Sequence, residues 1–169
     1  MAAKRGLTIQ QIALFGMLGA LTFGAKFVMS YLPNIEPVSV LVMVYAVTMG
    51  KKGLYPIYLY VMLEILVYGL GTWNFNYLYI WAILFFAAYA MRKQTHPLPW
   101  ALLSAGFGLL FGLLCAPVDV FAYGAAFAAS KWVTGISFDL MHCGGNFVMA
   151  LVLFVPLRKL LDKLYNHIQ

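Results

Sequence analysis

The chain has 169 residues, 64% of them hydrophobic and 9% charged, with a mean hydropathy of +0.88. A water-soluble domain of this size has too little interior to hide that much apolar surface, which argues against a soluble enzyme or binding module and for lipid as the solvent. The formal net charge of +6 falls at the ends of apolar runs, so it reads as membrane topology and attraction to anionic lipid, with no nucleic-acid partner expected.

A helix needs roughly 20 apolar residues to cross a ~30 Å hydrocarbon core. The apolar runs predict an all-α membrane protein, a six-transmembrane-helix bundle forming one integral domain over residues 1–169. The expected spans are 9–29, 38–50, 54–71, 77–91, 100–116 and 132–156. The first run is long and lacks a small-residue cleavage site, so it reads as a retained helix rather than a signal peptide. In it Gly16, Ala20 and Gly24 recur every four residues and share one face. Small residues let a second helix approach closely, either within the bundle or from a separate membrane subunit.

After this run, Pro33 and Pro37 stiffen a gap that also holds Asn34 and Glu36. The second run is short, and Lys51 and Lys52 can snorkel to the interface to complete it. The third carries Glu64 and ends at Gly69–Gly71. A compact, amide-rich gap over residues 72–76 then precedes the fourth. Gly106, Gly108 and Gly112 suit the fifth to tight packing within the bundle. Residues 117–131 form the longest outer segment, read as a lid or a short re-entrant helix. The sixth span places Asp139, His142 and Asn146 on one face by their i, i+3, i+7 spacing.

Lysines and arginines fill alternate gaps: Lys4 and Arg5, then Lys51 and Lys52, then Arg92 and Lys93, then Arg158, Lys159 and Lys163. By the positive-inside rule both termini are cytoplasmic, and the gaps rich in Asn, Trp, Tyr and acid lie outside. Intramembrane charge is costly, about 2.5 kcal/mol or more per group, and is usually paired or functional. Lys26 and Glu64 can pair, or one can contact a ligand. Asp139 can orient His142, or both can face a ligand. The outer-end aromatics Trp73, Tyr77, Tyr79, Trp81, Tyr123 and Trp132 are either an interfacial belt or the wall of a cavity for a ring-containing molecule. In the second case Asn34, Glu36, Asn74, Asn76, Asp119, Lys131, Asp139, His142 and Asn146 supply its polar contacts.

Cys115 and Cys143 make neither a disulfide framework nor a metal signature, and no resident cofactor or metal is expected. There is no Gly-rich phosphate loop and no recognisable nucleophile frame, so the chain is not expected to be an enzyme. A membrane-embedded enzyme using Glu64, Asp139 and His142 stays open without a motif to support it. So does a self-sufficient small carrier gated by Lys26, Glu64 and Asp139.

Several stretches carry a family resemblance: Gly16-Met17-Leu18-Gly19-Ala20 in the first span, Leu32-Pro33-Asn34-Ile35-Glu36-Pro37 after it, Asn76-Tyr77-Leu78-Tyr79-Ile80-Trp81 opening the fourth, and Phe138-Asp139-Leu140-Met141-His142-Cys143-Gly144-Gly145-Asn146-Phe147 in the sixth. With them the whole chain resembles the substrate-binding S components of energy-coupling factor (ECF-type) vitamin transporters, and within them a cobalamin subgroup. The family's two alanines four apart appear here as Gly16 and Ala20, a departure that keeps the small-residue packing. The resemblance implies a prokaryotic plasma-membrane protein that binds a vitamin at its outer face. It implies docking through Gly16, Ala20 and Gly24 on a shared transmembrane scaffold subunit that carries two cytoplasmic ATPases. The S component would then topple to release ligand inside. The ligand it implies is cobalamin, with riboflavin, folate, pantothenate or a related ring compound as the alternative.

Overall fold

The computed structural model describes residues 6–31 and 35–168, and among these it is all-helical with no strand. The helices are α1 (Ile9–Val28), α2 (Val38–Met49), α3 (Leu54–Tyr68), α4 (Thr72–Ala90), α5 (Pro97–Leu109), α6 (Phe111–Tyr123) and α7 (Ala125–Asn166), with a 3-10 turn, Gly50–Gly53, between α2 and α3. Among the described residues three stretches are long and apolar enough to cross a membrane: α1, Pro97–Tyr123 (α5 with α6), and α7. That is compatible with a membrane protein. α2 and α3 have 12 and 15 residues, or about 18 and 22 Å of rise, less than a ~30 Å core.

Local chemistry sets the helix ends. Thr8 and Gln11 form a reciprocal capping box at the start of α1. Pro97 stands at the first turn of α5, and His96 Nδ1 accepts the Leu98 N–H. Gly50, Gly69 and Gly124 follow α2, α3 and α6 with φ of +56°, +82° and +88°, a left-handed backbone that glycine adopts without steric cost.

Three sequence expectations are corrected. The gap over residues 72–76 is helical: Asn74 Oδ1 accepts the Gly71 N–H at 2.6 Å, so an amide typical of turns starts α4 instead. The fifth span is two helices that meet at Leu110 and run on through Pro117 to Tyr123. Residues 117–131 are therefore no lid. They are the end of α6, a one-residue reversal at Gly124, and the alanine-rich start of α7. α7 begins at Ala125 and not at 132.

Contacts give the packing directions. α1 and α3 run parallel: Lys52, just ahead of α3, donates to Gln11 Oε1 at 3.0 Å, Gly19 lies against Pro56 and Leu59, and Lys26 reaches Glu64. α5 and α6 run antiparallel to α7. Trp100 stacks on Phe154 at 4.3 Å, Gly108 touches His142 and Gly112 touches Asp139, and Asp119 pairs with Lys131. Ten of the twelve α2 residues are buried; apolar all round, α2 is the core of the bundle. Tyr45 ties it to α1 through Thr22 Oγ1 at 2.9 Å, and Ser39 ties it to α7 through Asn146 Nδ2 at 3.1 Å. Large apolar side chains stay exposed on the outside, among them Met17 and Leu21 of α1, Leu66 of α3, and Phe121 of α6, which is 94% exposed.

Candidate ligand-binding site

α4, α6 and α7 converge around a cavity of about 460 Å³, inside the ~300–1,000 Å³ range of small-molecule sites. α4 contributes Trp73, Asn76 and Tyr77; α6 contributes Phe111, Gly112, Cys115 and Asp119. From α7 come Lys131, Trp132, Thr134, Gly135, Phe138, Asp139 and His142. Along α7 the step from Lys131 to His142 spans about 16 Å. Lys131 thus stands at the Gly124 end of the cavity, and Asp139 and His142 at its floor.

At the mouth, Lys131 Nζ lies 2.7 and 2.8 Å from the two carboxylate oxygens of buried Asp119. This pair clamps α6 to α7 across the Gly124 reversal. The floor is built differently. Asp139 Oδ1 accepts the Gly112 N–H at 3.1 Å. Its Oδ2 and His142 Nε2 are buried and have no hydrogen-bond partner among the described residues. Asp139 therefore does not pair with His142; the imidazole packs edge-on to Phe111, ring centroids 4.9 Å apart. Glycine is required at both approaches. A Cβ at Gly112 would stand 2.6 Å from Asp139 Oδ2, and one at Gly108 would stand 2.8 Å from the His142 backbone.

Of the residues expected at a site, Trp73, Asn76, Tyr77, Asp119, Lys131, Asp139 and His142 come together around this cavity. Five do not line it, Glu36 among them, which joins a cluster around Lys26 in a second hollow. Asn74 is spent on the start of α4. Tyr79 donates to Asn76 Oδ1 and to the Leu114 carbonyl. Tyr123 is exposed, beside Thr72 and Phe127. Asn146 donates to Ser39 Oγ and the Ser104 carbonyl in the core. Asn34 lies outside the described residues. Phe111, Cys115, Thr134, Gly135 and Phe138 were not anticipated. Extending the Asp139–His142 face back one turn within the expected span 132–156 reaches Gly135 and Phe138, so the signal for these two was present in the sequence.

A second hollow of about 380 Å³ lies between α1, α3 and α4, and Trp73 and Tyr77 wall both spaces. Lys26 is its polar centre. Its ammonium donates to Glu64 Oε2 at 2.9 Å and to the Tyr77 hydroxyl at 3.1 Å, and sits 5.0 Å from the Tyr77 ring centroid. The Lys26–Glu64 pair anticipated from sequence is thus formed. Glu36, half-buried just ahead of α2, joins this cluster. Burial pushes its carboxyl up, Lys26 pulls it down, Glu64 adds to the upward push, and the net direction is up.

On the outer side of α1, Gly16 and Ala20 are exposed and Gly24 is half-buried. A Cβ at Gly16 or Gly24 would meet nothing within 4 Å. The bundle packs instead against Gly19 on another face, where a Cβ would stand 2.8 Å from Leu59 Cβ.

No protein-family model, no curated protein and no solved structure matches the chain.

Proposed function

We propose that the chain is the vitamin-binding S component of an ECF-type importer. It crosses a prokaryotic plasma membrane six times with both termini inside, and it works with a transmembrane scaffold subunit and two cytoplasmic ATPase subunits. The observation that carries this reading is the aromatic-walled cavity with unpartnered polar atoms at its floor, set at the end of the bundle away from Lys52 and Arg158. A bland interfacial belt needs no such half-open cavity. The outward Gly16–Ala20–Gly24 face supports docking on a separate subunit, since the bundle makes no use of it. ATP hydrolysis belongs to the partners in this reading, and the chain itself is not an enzyme.

The volume bears on the ligand. About 460 Å³ encloses a fused two- or three-ring compound of the riboflavin or pterin type. Cobalamin, whose macrocycle carries a long nucleotide loop, would seat only an edge in it. Smaller ring vitamins therefore stand ahead of cobalamin as ligand. The test is calorimetry of the purified protein in lipid nanodiscs against riboflavin, folate, pantothenate and cobalamin. One tight ligand is expected, together with uptake that needs ATP and the partner subunits. Uptake into vesicles holding this chain alone, without ATP, would replace the reading with that of a secondary carrier.

A further inference from the structure

Two polar atoms at the cavity floor have no hydrogen-bond partner among the described residues: Asp139 Oδ2 and His142 Nε2, on residues 7% and 3% exposed. Buried polar groups are nearly always satisfied, and those left open at a cavity wall mark where a ligand's polar atoms go. An ionised carboxylate oxygen only accepts, so with Asp139 ionised the group facing Oδ2 must donate. Among the described residues no free cation is at hand to meet it. Lys131 is held by Asp119 at the mouth, and Lys26 is held by Glu64 beyond the Trp73–Tyr77 wall. A ligand carboxylate or phosphate at this depth would face Asp139 uncompensated in a low-dielectric space. The imidazole, one turn deeper, can donate or accept at Nε2 according to its tautomer.

The walls fix the shape. Trp73 and Tyr77 on one side and Phe111 and Trp132 on the others present ring faces and edges to the space, which favours a flat aromatic body. Gly112 holds the Asp139 carboxylate in place through its N–H, and its missing Cβ leaves the other oxygen room.

We infer that Asp139 and His142 are the specificity-determining pair of this cavity, and that they select a planar nitrogen heterocycle that enters edge-first with a neutral or cationic N–H donor on Asp139 Oδ2 and a second polar ring atom on His142 Nε2. This rests on the proposed reading of the cavity as the ligand site. It excludes compounds whose deep end is anionic or lacks an N–H.

The experiment measures quenching of tryptophan fluorescence, with calorimetry, on the full chain in nanodiscs. The probes are riboflavin, 3-methylriboflavin (the same ring with its N–H edge blocked), pterin, pantothenate and cobalamin. Riboflavin or pterin is expected to bind. Methylating the N–H, or the Asp139→Asn substitution, is expected to weaken binding roughly tenfold to a hundredfold, because a buried acceptor loses its donor. His142→Ala is expected to weaken it less. The methylated probe needs no variant, so a folding defect in Asp139→Asn does not blunt the test. Equal binding of riboflavin and 3-methylriboflavin would overturn the pair's role. So would tight binding of pantothenate or cobalamin that Asp139→Asn leaves unchanged; both outcomes leave the vitamin-binding reading standing. If no compound binds, both fall.

Discussion

Lys26 and Glu64 show how one residue's value depends on its partner. Glu64 is 2% exposed and its carboxylate meets the Lys26 ammonium at 2.9 Å. Removing one member of a buried pair strands the other charge, at a cost of about 3–5 kcal/mol. Lys26→Met should lower the thermal midpoint sharply in detergent, and adding Glu64→Gln should recover most of the loss. A double variant no better than the single one would mean that the pair is not what holds α1 to α3. Glu36 carries a sign that can be checked. Its carboxyl is raised in the fold, so the folded state holds this proton more tightly than the unfolded chain. Its ionisation therefore costs nothing in acid and costs stability as pH rises through the usual carboxylate range to the raised value. Glu36→Gln should gain thermal stability over the parent progressively as pH rises above about pH 4, and a gap independent of pH would refute the shift. That Lys26 and Glu64 could meet was legible in the sequence from their depth in two spans. That Asn74 and Asn146 serve the scaffold was not: an amide reads the same whether it bonds a ligand, a helix start or a buried serine.

At the scale of helices, glycines separate contact faces from free ones. Gly108→Ala puts a methyl against the His142 backbone, which cannot swing aside, and should cost about 1–3 kcal/mol by forcing α5 from α7. Gly106→Ala, with nothing within 4 Å, should be neutral or gain up to about 1 kcal/mol from helix propensity. Comparing the two unfolding midpoints checks the register of α5 on α7. The same contrast serves α1. Gly19→Ala should destabilise the bundle through Leu59, whereas Gly16→Leu and Ala20→Leu should leave folding and ligand affinity intact and abolish ATP-driven uptake in the assembled transporter. Normal uptake in those variants would remove the docking role. The repeat of small residues was visible in the chain. Which glycine faces inward was not, because Gly16 and Gly19 lie on different faces of one helix and only the position of α3 chooses between them. The end of α6 and the start of α7 read as a lid or a short re-entrant helix because Pro117 and Gly124 are breakers in isolation. In the fold Pro117 sits inside α6, and only Gly124 turns the chain.

For the whole molecule the question is sidedness. Lys52 bonds Gln11, and Arg158 bonds the Gln94 carbonyl, so among the described residues the cationic segments around 52, 92–94 and 158 belong to the end away from the cavity. Single cysteines in a background lacking Cys115 and Cys143 give the check. Tyr123→Cys is expected to react with an impermeant reagent on intact cells, and Gln94→Cys only after permeabilisation; both positions are exposed. The reverse pattern would place the cavity in the cytoplasm and end the importer reading.

The sequence by itself determined the apolar, helical character of the chain, compatible with a membrane, because hydropathy is a sum over a segment and needs no partner. Only the tertiary structure decided which polar atoms are already satisfied. A hydrogen bond needs two groups at one place, and the bonds that occupy Asn146 and Asp119, like the gaps left at Asp139 and His142, exist only once α2, α5, α6 and α7 are packed together.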